Sequence, residues 1–277
     1  MSNMNLIQSL KKSRLFLGNL FQQYLIDSKQ DTAFASDLIS ANDPDCYICE
    51  QYRNLAIVLI RSEKFKDKKC FLVTSSQPRD GKSTTLANLG FVLASYYKKR
   101  VLLIDADLRR PSLHHFFKQK QGLGLYDLLK NGSTREQVTV NITANLDIIK
   151  SGILPVAENN YLSSTDEFRN LLDSLRDQYD YILVDSPPIL KVSDAGILGH
   201  AVEQVLLVVR AEATPSPLVS SAQELLTAQG CAASACILVN HHHQMDVYSY
   251  ITNNHYRNYY SNFYKSYDNR QPNSSSN

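Results

Sequence analysis

No stretch of this chain reaches the roughly 18 consecutive apolar residues that a spanning helix needs, although apolar residues fill 43% of its 277 positions. The N-terminus also lacks the short apolar core and cleavage site of a secretory signal. The expectation is a cytoplasmic protein with a sizeable core. Net charge is scarce too: 29 Lys and Arg stand against 27 Asp and Glu, a formal balance of +2. That leaves no overall basic footprint for nucleic acid, although the N-terminal segment is locally basic, with Lys11, Lys12 and Arg14 close together. Five cysteines in a chain this long do not make a disulfide framework. Cys46 and Cys49 have zinc or redox spacing, but no second pair or Cys/His knuckle completes four ligands. Cys231 and Cys236 are too widely spaced to supply one, so the thiols read as buried or idle.

The stretch FLVTSSQPRDGKSTTLA, from Phe71 to Ala87, organises the rest. A short apolar run (Phe71, Leu72, Val73) ends in turn-favouring residues, and Gly81-Lys82-Ser83-Thr84 then opens a helical pattern carrying Leu86, Leu89, Val92 and Leu93. Strand, loop and helix N-terminus in that order make an anion site, because backbone N–H groups and the helix dipole point at one spot. Lys82 would reach β- and γ-phosphates, and the Ser83 hydroxyl would ligate Mg²⁺. The full phosphate-loop pattern wants glycine where Ser76 stands, and Pro78 and Arg79 are bulky for such a loop.

Upstream, residues 1–26 carry a helical apolar stripe (Leu6, Ile7, Leu10, Leu17, Leu20, Phe21, Leu25). That helix packs on its own domain or docks to a partner or membrane surface. Residues 27–46 are polar and irregular and read as a linker, followed by a helix from about Ile48 to Glu63. Downstream, apolar runs of strand length at Val101–Ile104, Leu146–Ile149, Tyr181–Val184, Val205–Val209 and Ile237–Val239 alternate with helical patterns. Alternation of that kind argues for an α/β fold, a mostly parallel sheet with helices on both faces.

Ligands of such sheets bind beyond the carboxyl ends of the strands. Asp105, Asp107 and Asp185 follow their strands directly, so they should converge on the phosphate loop. Asp185 has the position of a Walker B acid. Asp105 and Asp107 flank one alanine, and a bound cation would relieve their repulsion. Arg109 and Arg110 follow beside the same site.

Together, SSQPRDGKST, VLLIDADLRRP and YDYILVDSPP resemble the Walker A, A′ and B motifs of the bacterial tyrosine kinases of capsule and exopolysaccharide synthesis. The likeness runs from about Glu50 to Asn240, with the A′ motif as its most discriminating part. It implies a P-loop NTPase fold related to the MinD and ParA ATPases, and an ATP- and Mg²⁺-dependent tyrosine autokinase. It places Pro78, Asp80, Gly81, Lys82, Ser83 and Thr84 at the nucleotide, with Asn240 near the adenine. Ser83, Asp105, Asp107 and Asp185 would serve the metal. Lys82, Asp105 and Asp107 would be catalytic, and Asp105 is the acid expected to take the tyrosine proton.

The resemblance divides the chain into an N-terminal helix and linker (1–46), a kinase domain (47–241) and a flexible tail (242–277). That tail carries seven tyrosines, Tyr248, Tyr250, Tyr256, Tyr259, Tyr260, Tyr264 and Tyr267, among Asn and Ser. It is either a low-complexity segment that happens to be aromatic or, beside such a loop, the autophosphorylation substrate. Implied partners are a transmembrane polysaccharide co-polymerase that recruits the chain to the inner face of the plasma membrane, a second copy of the chain, and a tyrosine phosphatase. Nucleic acid is not among them. Two departures stand out. Arg79-Asp80 replaces the family's usual Gly-Glu, and the assembly helix pattern E-x-x-R-x-x-R survives only as Glu50, Arg53 and Ala56. Two alternatives remain: a MinD/ParA-type positioning ATPase, which would carry a lysine where Gln77 stands, and a catalytically weak co-polymerase partner.

Overall fold

The computed structural model describes residues 34–155 and 165–239. The expected helix at 1–26, Asn240 and the tyrosine cluster lie outside the described residues. Seven strands, β1 (Cys70–Ser75), β2 (Val101–Asp105), β3 (Thr139–Thr143), β4 (Leu146–Ile149), β5 (Tyr181–Asp185), β6 (Gln204–Arg210) and β7 (Ala235–Val239), form one sheet. Their order is β3-β4-β2-β5-β1-β6-β7. Every pairing is parallel except β3 with β4. The chain therefore has the mostly parallel α/β architecture that the alternating pattern anticipates.

Strand parity sorts the core into two layers. Leu72, Leu102, Ile104, Ile182, Val184 and Leu207 face one cluster, and Phe71, Val73, Leu103, Leu183, Leu206 and Val208 face the other. The first layer is covered by the helices Leu125–Lys130, Thr165–Leu175, Asp194–Ala201 and Ser216–Ala228, through residues such as Leu125, Phe168, Leu198 and Leu226. The second is covered by α2 (Tyr47–Arg61) and α3 (Lys82–Ser95), through Leu59, Leu86, Leu89 and Leu93. Central strands buried on both faces need apolar side chains at every position, which is why they read as continuous runs and not as alternation. At about 1.5–3 kcal/mol for each fully buried large aliphatic side chain, this double layer is the main source of stability.

Two elements depart from expectation. Residues 34–46 are not an irregular linker: the short helix α1 (Ile39–Asn42) follows Leu38, which is wholly buried. Asn88 of α3 pins this segment, accepting from Ser40 N–H at 2.9 Å and donating to the Asp37 carbonyl at 3.0 Å. One buried amide thus holds a polar stretch that has no apolar periodicity of its own. The second is β3, an antiparallel edge strand whose sequence TVNIT is half-buried at best. Ala56, where the assembly pattern would have its last arginine, is fully buried in the core under α3.

Candidate active site

Three adjacent central strands, β2, β5 and β1, deliver the site. Asp105 and Asp185 are register partners across β2 and β5, and Asp185 pairs with Val73 of β1. All three strand ends therefore open on the same edge, where β1 runs into the loop before α3. Gly81 takes φ 95° at the N-cap of α3, a left-handed conformation that glycine adopts without a Cβ clash. Arg79 takes φ 69° two residues earlier, and an L side chain there is strained. Asp80 is turned inward and is 1% exposed. Its carboxylate accepts from Gln77 N–H at 3.1 Å and from the Thr214 hydroxyl at 2.8 Å. The Asp80 side chain thus braces the loop, leaving backbone as its offering to a ligand.

Lys82, the first residue of α3, reaches across to the strand ends. Its ammonium lies 3.1 Å from Asp107 Oδ2 and 3.4 Å from Asp185 Oδ1, and donates to Ser83 Oγ at 3.0 Å. The Ser83 hydroxyl donates to Asp185 Oδ2 at 2.5 Å. Burial works against the Lys82 charge, but Asp185 and Asp107 more than offset it, and its pKa is raised. Asp105 accepts from the backbone N–H groups of Ser112 and Leu113 at 2.9 and 3.0 Å, and from Asp107 N–H at 3.3 Å. Burial, with the Asp185 charge beside it, nevertheless pushes the Asp105 carboxyl up to about 7. Asp185 is also raised, by burial against the pull of Lys82.

A cleft of about 600 Å³ opens over this cluster. Of the residues singled out from sequence, Pro78, Gly81, Lys82, Ser83, Thr84 and Asp107 line it. Asp105 and Asp185, both 0% exposed, lie behind that lining. Sequence reasoning missed Ser112, Phe116, the Pro187-Pro188 wall, Lys191 and Val192, which complete the lining beside Arg79, Arg109 and Arg110. The signal for Pro187 and Pro188 was present, since they stand one residue past Asp185 in the run YDYILVDSPP. Arg109 Nε pairs with Asp194 Oδ2 at 3.2 Å, which could not be foreseen across 85 residues of chain.

Among the described residues no group of three or more His, Cys, Asp or Glu side chains is arranged to hold a metal unaided. Hydroxyl and carboxylate oxygens at Ser83, Asp107 and Asp185 nevertheless suit Mg²⁺, which is usually held by one or two carboxylates plus substrate phosphates. The donor set fits that ion.

The AAA domain family matches residues 73–218, more than half of the chain. The tyrosine-protein kinase YwqD of Bacillus subtilis is 36% identical over 191 residues, covering 69% of this chain and 80% of that protein. Two further curated relatives are much longer, and the chain spans 23% of their length. The kinase domain of Escherichia coli tyrosine kinase ETK superposes with a TM-score of 0.67 at 28% identity, covering 76% of this chain and 82% of that one. The septum site-determining protein MinD of Pyrococcus horikoshii, with a TM-score of 0.52 at 22% identity over 61% of this chain and 69% of that one, shares the fold. A nucleotide-binding P-loop architecture and a kinase-type site thus coincide in one chain, which belongs to the bacterial tyrosine-protein kinases.

Proposed function

We propose that this chain is an ATP- and Mg²⁺-dependent tyrosine autokinase whose substrate is its own cluster from Tyr248 to Tyr267, and that it regulates exopolysaccharide or capsule synthesis and export. The observation that carries the reading is Lys82 held between Asp107 and Asp185 at the mouth of the cleft. Phosphoryl transfer asks the protein for positioning and charge stabilisation more than for covalent chemistry. The backbone from Pro78 to Thr84 and the Lys82 ammonium would cradle the phosphates, with Asn240 near the adenine. Ser83, Asp107 and Asp185, with Asp105 behind them, would hold Mg²⁺, which supplies charge neutralisation on the phosphates when bound.

The phenol of an incoming tyrosine must lose its proton as its oxygen attacks. Either A′ acid can be the acceptor, and accessibility favours Asp107. Asp107 lines the cleft, whereas both oxygens of Asp105 are already taken by backbone N–H groups. Asp105 then acts through the loop that it holds. Arg79, Arg109, Arg110 and Lys191 give the rim a positive face toward the phosphates.

Recruitment to the inner face of the plasma membrane by a transmembrane co-polymerase, trans-phosphorylation between copies and reversal by a tyrosine phosphatase complete the proposal. No helix among the described residues is long and apolar enough to cross a membrane. The test is purified protein with Mg-ATP and an anti-phosphotyrosine readout, for wild type, Lys82→Met and a chain ending at residue 245. Signal in wild type alone supports the proposal. ATP hydrolysis without phosphotyrosine would favour a MinD-like ATPase, and persistence of signal in the truncated chain would move the substrate elsewhere.

A further inference from the structure

We propose that Cys46 and Cys49 form a redox-active dithiol that exchanges with small-molecule disulfides. The two sulfurs lie 2.9 Å apart, both free, at the start of α2. Cys46 is the N-cap residue: its sulfur accepts from Cys49 N–H at 3.3 Å, and its side chain is half-buried. Cys49 is 1% exposed, and its thiol donates to the Asp43 carbonyl at 2.8 Å. The arrangement is asymmetric in the way a redox pair needs. One sulfur is reachable, sits where N–H groups and the helix dipole favour a thiolate, and has a shielded partner within bonding reach. The close Cys49 side chain and, less, the Cys49 backbone N–H hold the Cys46 pKa down at about 7, whereas the same side-chain contact and burial raise that of Cys49. Cys46-x-x-Cys49 lacks further ligands for zinc, and the structure adds none among the described residues.

The exchange balances in two steps. The Cys46 thiolate attacks one sulfur of a disulfide RSSR, forming the mixed disulfide Cys46–SR and releasing RS⁻. Cys49 then gives its proton to the released thiolate and attacks Cys46 Sγ, expelling the second RS⁻, which takes a proton from solvent. Two cysteine thiols are oxidised, one RSSR is reduced to two RSH, and the Cys46–Cys49 bond is the only new bond in the protein. On oxidation Cys49 stops donating to Asp43. The segment before α2, which Arg53 also holds through the Pro44 carbonyl, then loses one of its ties.

The experiment incubates the full chain with oxidised glutathione at neutral pH and reads intact mass, peptide mapping and reversal by dithiothreitol. A Cys236→Ser background removes the exposed thiol on β7. At pH 7 the ionised fraction of Cys46 is roughly 50-fold that of a thiol with the ordinary value of 9.0, and its intrinsic nucleophilicity roughly tenfold lower. Burial raises the Cys236 thiol above that ordinary value, so mixed-disulfide formation should run at least about 5-fold faster at Cys46 than at Cys236 in the unsubstituted chain. The expected product has lost two hydrogen atoms and carries a Cys46–Cys49 bridge. Cys46→Ser, which keeps a good capping oxygen, should abolish reaction at this site, and Cys49→Ser should stop at a single glutathione adduct on Cys46. A wild-type product that stays as the mixed disulfide, or Cys46 reacting no faster than Cys236, would overturn the proposal.

Discussion

Replacing Asp105 with asparagine should make the protein more stable, and more so as pH rises. Asp105 is wholly buried, and its carboxyl is pushed from 3.8 to about 7 by burial and the neighbouring Asp185 charge. A shift of roughly three units means that ionising this group in the fold costs about 4 kcal/mol relative to the unfolded chain. Because the folded pKa is raised, the native state holds a proton that the unfolded chain has already released between about pH 4 and pH 7. Wild-type stability therefore falls with rising pH across that window and levels off above it. Asparagine carries no charge and removes this slope. Its carbonyl can still accept from Ser112 and Leu113, but its NH₂ would face Asp107 N–H and lose the 3.3 Å bond, a loss of about 1 kcal/mol.

The net gain should be about 2–3 kcal/mol at pH 8, or roughly 5–10 °C in melting midpoint for a domain of this size, shrinking toward zero near pH 4. Thermal unfolding of both proteins from pH 5 to pH 8, in chelator and without nucleotide, measures it. An Asp105→Asn protein less stable than wild type at pH 8, or an advantage that does not change with pH, would refute the reasoning.

Adding Mg²⁺ and ADP to wild type should flatten the same pH slope, since a bound cation favours the charged carboxylate; an unchanged slope would mean that no metal reaches Asp105. Arg79→Gly should raise stability by about 1 kcal/mol by relieving the left-handed backbone at that position, read as a rise of roughly 2–4 °C in melting midpoint. Gly124→Ala should lower stability by about 2–4 kcal/mol, because a Cβ there would lie 2.2 Å from Gly152 N and Lys150 O, and chemical denaturation will show it. Lys82→Met should lose phosphotyrosine yet keep native near-ultraviolet dichroism, because the partners of Lys82 are site carboxylates and not core side chains.

The sheet was legible because its central strands are buried on both faces, so Val101–Asp105 and Tyr181–Asp185 show as unbroken apolar runs ending in acids. The edge strand Thr139–Thr143 was not, since one partner and partial burial impose no apolar run. Helix α1 stayed hidden for a related reason: its placement rests on Asn88, 48 residues from Ser40, and not on local periodicity. At the site, the motifs located the phosphate loop and the acids but could not say which way each carboxylate points. Asp80 looks like a ligand-facing acid in sequence, and only the contact with Thr214, 134 residues away, shows it as a brace.

The same limit explains how Asp105 and Asp107 divide the work. They are separated by one residue, and in a regular strand such a pair would share a face. Here β2 ends at Asp105, and Ala106 N–H bonds the Asp185 carbonyl at 2.8 Å before the chain turns. The turn is closed by the carboxylates themselves: Asp107 Oδ1 accepts from Arg110 N–H at 3.1 Å, and Asp105 Oδ2 from Ser112 and Leu113. Asp105 is spent on folding the loop back over the strand end. That fold leaves Asp107 Oδ2 facing Lys82 at the cleft wall and presents Arg109, Arg110 and Ser112 along the rim. A raised pKa at Asp105 is then a consequence of packing an acid where the loop needs an acceptor, not by itself a sign of catalysis. Under the proposed mechanism, the proton-transfer role would fall to the acid whose second oxygen the loop leaves toward the cleft. Comparing Asp105→Asn with Asp107→Asn for nucleotide affinity and for transfer rate decides it. Asp107→Asn should lose transfer by about 10²–10⁴-fold, with the affinity for nucleotide measured in chelator changed far less; a variant that transfers at the wild-type rate would return the base to Asp105.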